Sequence, residues 1–103
     1  MPLSPALTNP LQNNPTTQVW NYTNISTATT TLIKTGKGIL HSIVVNTTAA
    51  GTIKIEDALT DTTPSIGILK ASVAEGTYLY DVSFLTGLNI VTAGASDITV
   101  SWL

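Results

Sequence analysis

From residue 17 onward, short runs rich in Thr, Val and Ile alternate with turns built from Gly, Asn, Asp and Pro. β-Branched side chains favour the pleated, half-buried surface of a strand. The runs recur at the spacing of roughly 8–12 residues that is typical of β-sandwiches and barrels, and no segment keeps a helical period. We therefore predict an all-β fold of eight antiparallel strands packed as a two-sheet sandwich.

The predicted strands are bounded by turn residues. They span residues 18–26, 28–35, 39–46, 52–56, 65–71, 77–84, 87–92 and 97–103. The third has hydrophobic residues on both faces, which favours a central position. In the fourth, alternation places Ile53 and Ile55 inward and Lys54 and Glu56 outward. Strand order cannot be inferred from periodicity, so the sandwich is either of jelly-roll or of immunoglobulin-like type.

The N-terminal part of the chain is uncharged. Residues 1–33 contain no Asp, Glu, Lys, Arg or His, whereas about a quarter of the residues in a typical soluble domain are charged. Four prolines within residues 1–16 oppose a helix, so we predict an extended arm over 1–16 and a sandwich domain over 17–103. Such an arm is expected to lie against another protein surface. The side chains predicted to bind that partner are Leu3, Leu7, Leu11, Trp20 and Tyr22.

Composition narrows the possible partners. Charged residues make up 10% of the chain and hydrophobic residues 43%, a ratio that favours burial against copies of itself or another protein. The net charge is −2 and arginine is absent, so a nucleic-acid partner is not expected. No apolar run is long enough to span a membrane. The N-terminus lacks a basic region and its apolar residues are interrupted by proline, so we expect no signal peptide.

The residues that usually carry chemistry are few. His41 is the single histidine, and no motif supplies it with a nucleophile and an orienting carboxylate. We therefore predict a packed or interface role for His41, no catalytic residues and no enzymatic activity. Glu56, Asp57 and Asp61 cluster in one segment that does not fit an EF-hand loop, and Asx turns explain the two aspartates equally well. We predict no metal ligand and no cofactor, although the sequence does not decide whether this loop binds a metal ion.

Several segments, taken in order, resemble the small capsid decoration, or cement, proteins of tailed bacteriophages. They are Gly38-Ile-Leu-His-Ser-Ile-Val-Val-Asn46, Gly51-Thr-Ile-Lys-Ile-Glu-Asp57, Gly76-Thr-Tyr-Leu-Tyr-Asp81, Phe84-Leu-Thr-Gly-Leu-Asn-Ile-Val91 and Asp97-Ile-Thr-Val-Ser-Trp102. The resemblance covers about two-thirds of the chain. It implies a structural protein on the outer surface of the virion capsid, often trimeric, that binds the major capsid protein. The resemblance does not assign a functional role to any individual residue of this sequence.

Two further functions remain open. Tail and fibre proteins of phages have similar β-domains, so a receptor- or glycan-binding domain is the principal alternative. Glycan binding requires exposed aromatic side chains, and Tyr78, Tyr80 and Phe84 share a strand face with Val82 that favours core packing instead. Trp20 is a candidate core edge or interface anchor. A hydrolase with an acid pair is the third alternative, and the sequence offers no reason to select two carboxylates.

Overall fold

The computed structural model describes residues 19–103, and these form an all-β fold. The eight strands are β1 Asn21–Ile25, β2 Thr29–Thr35, β3 Gly38–Thr47, β4 Ile53–Asp57, β5 Gly67–Leu69, β6 Gly76–Phe84, β7 Gly87–Thr92 and β8 Asp97–Trp102. Each matches one of the eight predicted strands. The predicted arm, residues 1–16, lies outside the described residues.

The strands form two four-stranded antiparallel sheets, in the orders β1-β8-β3-β6 and β2-β7-β4-β5. The predicted two-sheet sandwich is confirmed. The pairings are nested, because β1 pairs with β8, β2 with β7, β3 with β6 and β4 with β5. This nested order is that of a jelly roll, one of the two topologies left open by the sequence. Strand β3 lies between β8 and β6, as its hydrophobic residues on both faces predicted.

The core lies between the two sheets and is aliphatic apart from one aromatic ring. Its buried hydrophobic residues are Ile25, Leu40, Ile43, Val45, Ile53, Ile55, Leu69, Phe84, Leu88, Ile90, Ile98 and Val100. Ile53 and Ile55 are both in this set, which confirms the inward face predicted for β4. The core contains residues from seven of the eight strands. Burial therefore depends on pairing strands that are far apart in the sequence.

The two ends of the sandwich are built from different segments. At one end, which we call the Trp20 end, the chain enters β1, and Leu103 exchanges backbone hydrogen bonds with Ile39. The β2–β3 turn, the β4–β5 loop and the β6–β7 turn lie at this same end. The opposite end carries the other four connections, and there the backbones of Gly51 and Gly94 approach closely.

Candidate partner-binding surface

Trp20, one of the predicted partner-binding residues, is fixed to the sandwich by an aromatic stack. Its indole ring lies on the imidazole ring of His41, with ring centroids 4.2 Å apart and planes 8° from parallel. Strand β8 separates β1 from β3 in the sheet, so the indole contacts a strand beyond its neighbour. Both side chains are half-buried. The point where residues 1–18 join the domain is therefore packed against the sheet, and His41 is a packed side chain.

His41 also contacts Asp81 in the neighbouring strand β6. Its Nδ1 lies 2.5 Å from Oδ1 of the exposed Asp81 carboxylate, which accepts the hydrogen bond. From Leu40 to Ser42, β3 advances two residues while β6 advances three, so the pairing contains a bulge here. Asp81 has a left-handed backbone with φ 50°, a conformation that Asp tolerates better than most residues. The bulge directs the carboxylate to the imidazole.

A His–Asp pair can orient a general base, but a base also requires a nucleophile within hydrogen-bonding reach. Among residues 19–103, the imidazole ring makes its hydrogen bond with Asp81 and with no hydroxyl group. Its face is covered by Trp20. The geometry therefore supports a role for His41 in positioning the indole. Asp81 was not singled out from the sequence, since one acid in an alternating strand carries no local signal.

Tyr22 is the second predicted partner-binding residue within the described chain, and it is exposed. It pairs with Ser101, and its neighbour Thr23 pairs with the buried Val100. Because side chains alternate along a strand, Tyr22 lies on the outer face of the first sheet. The other three predicted residues, Leu3, Leu7 and Leu11, lie outside the described residues.

Asp57 organises the turn between β6 and β7. Its carboxylate accepts hydrogen bonds from three successive backbone amides: Leu85 at 2.9 Å, Thr86 at 2.7 Å and Gly87 at 3.2 Å. These bonds, that from Leu85 most strongly, hold the pKa of the Asp57 carboxyl below its usual value of 3.8. The carboxylate thus satisfies amides that a two-residue turn would otherwise leave to water. An Asx turn was one explanation considered for Asp57, and the structure shows its carboxylate capping a turn that is distant in sequence.

Glu56 corrects one prediction from alternation. It shares the outer face of the second sheet with Lys54, yet it is fully buried. The β4–β5 loop covers it, because the Thr62 amide donates to both carboxylate oxygens at 3.2 Å. Asn89 of β7 donates to Oε1 at 3.0 Å. The Glu56 side chain lies on the predicted outer face of the sheet, but the loop buries it instead of leaving it exposed to solvent. The three hydrogen bonds supply the partners that a buried carboxylate needs.

Lys54 pairs with two of the three carboxylates of residues 56–61. Its ammonium lies 2.6 Å from Asp61 and 3.6 Å from Glu56. The hydrogen bond with Asp61 raises the pKa of Lys54, and the same bond lowers the pKa of the Asp61 carboxyl. Within residues 19–103 no three His, Cys, Asp or Glu side chains are grouped so that they could hold a metal ion. The loop carboxylates are instead engaged by an ammonium group and by amides.

In the part of the chain from 19 to 103, no helix is long and apolar enough to cross a membrane. Comparison of the chain with protein-family models, with curated proteins and with solved structures gives no significant match. Function is therefore inferred from the residues and their geometry.

Proposed function

We propose that this protein is a virion structural protein, a capsid decoration or cement protein. In this proposal it forms a trimer on the outer surface of the capsid and clamps neighbouring subunits of the major capsid protein. The observation that carries the proposal is the absence of charge from residues 1–33; the first eighteen of these residues precede the domain, which begins beside the packed indole of Trp20. A segment without charge is suited to an apolar protein surface.

The length of the arm supports a clamp rather than a single contact. Sixteen residues in an extended conformation span about 50 Å, which is enough to leave one small domain and cross a neighbouring subunit. Three arms on one trimer would bind at high effective concentration, so weak contacts would suffice; avidity can exceed each contact by about 10²–10⁴. Contacts with so little charge should depend only weakly on salt.

The size of the domain supports self-association. A sandwich of fewer than about ninety residues gains only marginal stability from its own core. Association of copies adds burial without enlarging the chain. Light scattering at micromolar concentration tests the trimer, and a monomer at every concentration would exclude it.

Capsid robustness tests the function itself. Particles stripped of the protein and particles decorated with it are heated, and genome release is followed with an intercalating dye. Decorated particles should release their genome at a higher temperature, because each trimer resists separation of the subunits it joins. Equal release temperatures, or immunogold labelling confined to the tail, would contradict the proposal.

A second candidate function is a receptor- or glycan-binding domain of a phage tail or fibre. The observation that favours it is the aromatic group on the first sheet: the Trp20–His41 stack together with the exposed Tyr22. Aromatic faces stack on sugars, and the exposed Asp81 carboxylate could accept bonds from sugar hydroxyls. Titration of a glycan panel, followed by tryptophan fluorescence in a Trp102→Phe background so that only Trp20 emits, tests it. Saturable quenching that Tyr22→Ala weakens supports glycan binding, and no quenching excludes it.

A further inference from the structure

The imidazole ring of His41 lies between two groups that both favour a positive charge on it. The Asp81 carboxylate lies 2.5 Å from Nδ1, and the Trp20 indole covers the ring face with centroids 4.2 Å apart. A carboxylate attracts an imidazolium by its charge, and an aromatic face attracts a cation through its quadrupole. Both contacts are therefore stronger with the protonated ring than with the neutral ring.

The proton that creates this charge binds at Nε2 of His41. Nδ1 already donates its hydrogen to Asp81, so the neutral ring keeps its lone pair on Nε2. The His41 side chain is 30% exposed, and solvent can therefore deliver and remove the proton. Imidazole is the side chain whose charge ordinarily changes between about pH 5 and 8. Gain of the proton leaves the bond to Asp81 in place.

The charged surroundings of the His41 ring are simple. Among residues 19–103, the ring forms one ion pair, with Asp81 of β6. In β8, on the other side of β3, the residues level with His41 are Ser101 and Trp102, and neither carries a charge. Trp20, which covers the ring face, has no ionisable group. The electrostatic contacts of the ring are therefore those with Asp81 and with the indole.

The stack lies where the chain enters the domain. Trp20 precedes β1, which begins at Asn21, so its backbone is not part of the sheet. Its side chain rests instead on His41 of β3, and its neighbour Val19 is 76% exposed. The strength of this one contact therefore contributes directly to how firmly the chain is held at the point where residues 1–18 join the domain.

We propose that His41 is a pH-sensitive lock on this junction. The protonated ring holds Trp20 by a cation–π contact while the Asp81 carboxylate balances its charge. The neutral ring leaves an aromatic stack that holds Trp20 more weakly. The added contribution is present when the ring is protonated and is lost as pH rises and the proton leaves. The lock is a property of the domain itself and does not depend on the proposed function.

A double-mutant cycle on Trp20→Ala and His41→Ala, measured by urea unfolding at pH 5 and at pH 8, tests the lock. The coupling, expressed as a ratio of unfolding equilibrium constants, should be about two- to fivefold larger at pH 5, because an exposed cation–π contact contributes that much. His41 is the single histidine of the chain, so one imidazole signal in NMR spectra reports its protonation at each pH.

Repeating the cycle in an Asp81→Asn background should reduce the difference between the two pH values, because an amide does not attract the charged ring. Asn tolerates the left-handed backbone at this position, φ 50°, so the bulge should be retained. Asp97→Asn is the matched control and should leave the difference unchanged, because Asp97 lies in the same sheet but accepts a hydrogen bond from Asn24.

Three results would overturn the lock: equal coupling at pH 5 and pH 8, a His41 ring that stays neutral at pH 5, or identical behaviour of the two Asn backgrounds. A second readout does not require the alanine variants to fold. In wild type, the indole N–H signal of Trp20, identified by comparison with Trp102→Phe, should move with the same midpoint as the His41 signal. A Trp20 signal that does not move while the ring gains its proton would also exclude the lock.

Discussion

The rings of Trp20 and His41 lie 4.2 Å apart and 8° from parallel, which joins the residue preceding the first strand to a strand two positions away in the sheet. The stack is a tertiary contact between segments that do not hydrogen-bond to each other. It makes the start of the domain part of the packed structure. The energetic weight of this contact can be measured directly.

A double-mutant cycle on Trp20→Ala and His41→Ala should give a coupling energy of about 0.5–1.5 kcal/mol in urea unfolding, because stacked aromatic pairs add that much beyond their burial. The matched cycle on Tyr22→Ala and His41→Ala should give a coupling near zero, since Tyr22 is exposed and does not stack on the imidazole. Equal coupling in the two cycles would show that the stack contributes nothing specific.

Replacement of Asp57 by Asn should lower the free energy of unfolding at pH 7 by about 1–3 kcal/mol. Both carboxylate oxygens accept amide hydrogen bonds, and an Asn side chain offers one acceptor and a donor that opposes an N–H group. Glu75→Gln is the control, because its single recorded bond comes from the Thr48 amide in an exposed loop.

The difference in stability between wild type and Asp57→Asn should depend on pH. The pKa of Asp57 is below 3.8 in the folded protein, chiefly because of the Leu85 amide. Its contribution is therefore complete above the unfolded pKa and is lost as pH falls through the folded value. The difference in stability between wild type and Asp57→Asn should shrink below about pH 4. A difference that stays constant down to pH 2 would contradict this assignment.

Tyr80 should make the protein less stable in alkali. Burial, and secondarily the charge of Tyr78, raises the pKa of the Tyr80 hydroxyl above 10.0. Above the unfolded pKa the unfolded chain holds fewer protons than the folded one, so this contribution to stability falls as pH rises past about 10. Tyr80→Phe should reduce the loss seen in chemical denaturation between pH 9 and 11. An unchanged slope would show that Tyr80 does not titrate with unfolding.

Gly38 should not tolerate alanine. A Cβ at this position would lie 2.1 Å from the Leu103 carbonyl oxygen and 2.7 Å from Cζ of Phe84. Gly38→Ala should lower the free energy of unfolding by about 1–3 kcal/mol, since overpacking displaces backbone. Gly67→Ala is the matched control, because its nearest neighbour is the Tyr80 ring at 3.4 Å. Thermal denaturation that ranks the two variants in the reverse order would refute the steric argument.

Deletion of residues 2–16 should separate attachment from folding. These residues precede the packed junction at Trp20, so the truncated protein should melt close to wild type while its binding to stripped particles falls at least tenfold, by the avidity argument. Melting is followed by circular dichroism and binding by sedimentation with particles. Loss of melting temperature with retained binding would reverse the two roles.

Local features of the fold were predictable from the sequence. Alternation located Ile53 and Ile55 in the core, and the doubly apolar run of β3 indicated a central strand. Strand pairing was not predictable, because the periodicity of a segment contains no information about its partner strand. Ile25, for example, pairs with Ile98 at the other end of the sequence. The burial of Glu56 was not predictable for the same reason, since Thr62 and Asn89 supply its partners from a loop and another strand.

The candidate surface was predictable only in part. The uncharged N-terminal segment indicated Trp20 and Tyr22, because both follow it directly. Asp81 carried no such signal, since its contact with His41 arises from a bulge between paired strands.

The pairing of β1 with β8 also constrains how the chain acquires its structure during synthesis. Asn24 and Asp97 are hydrogen-bonded across 73 positions of sequence, and β3 joins the same sheet through β8. On the ribosome, strand β1 emerges long before the strand that must cover its backbone groups. Until β8 emerges, both edges of β1 are unpaired, whereas in the folded sheet β8 covers one of them, and other chains can pair with an uncovered edge. The absence of charge from residues 1–33 also gives nascent chains little electrostatic repulsion at that stage, so many copies made at once are exposed to premature association.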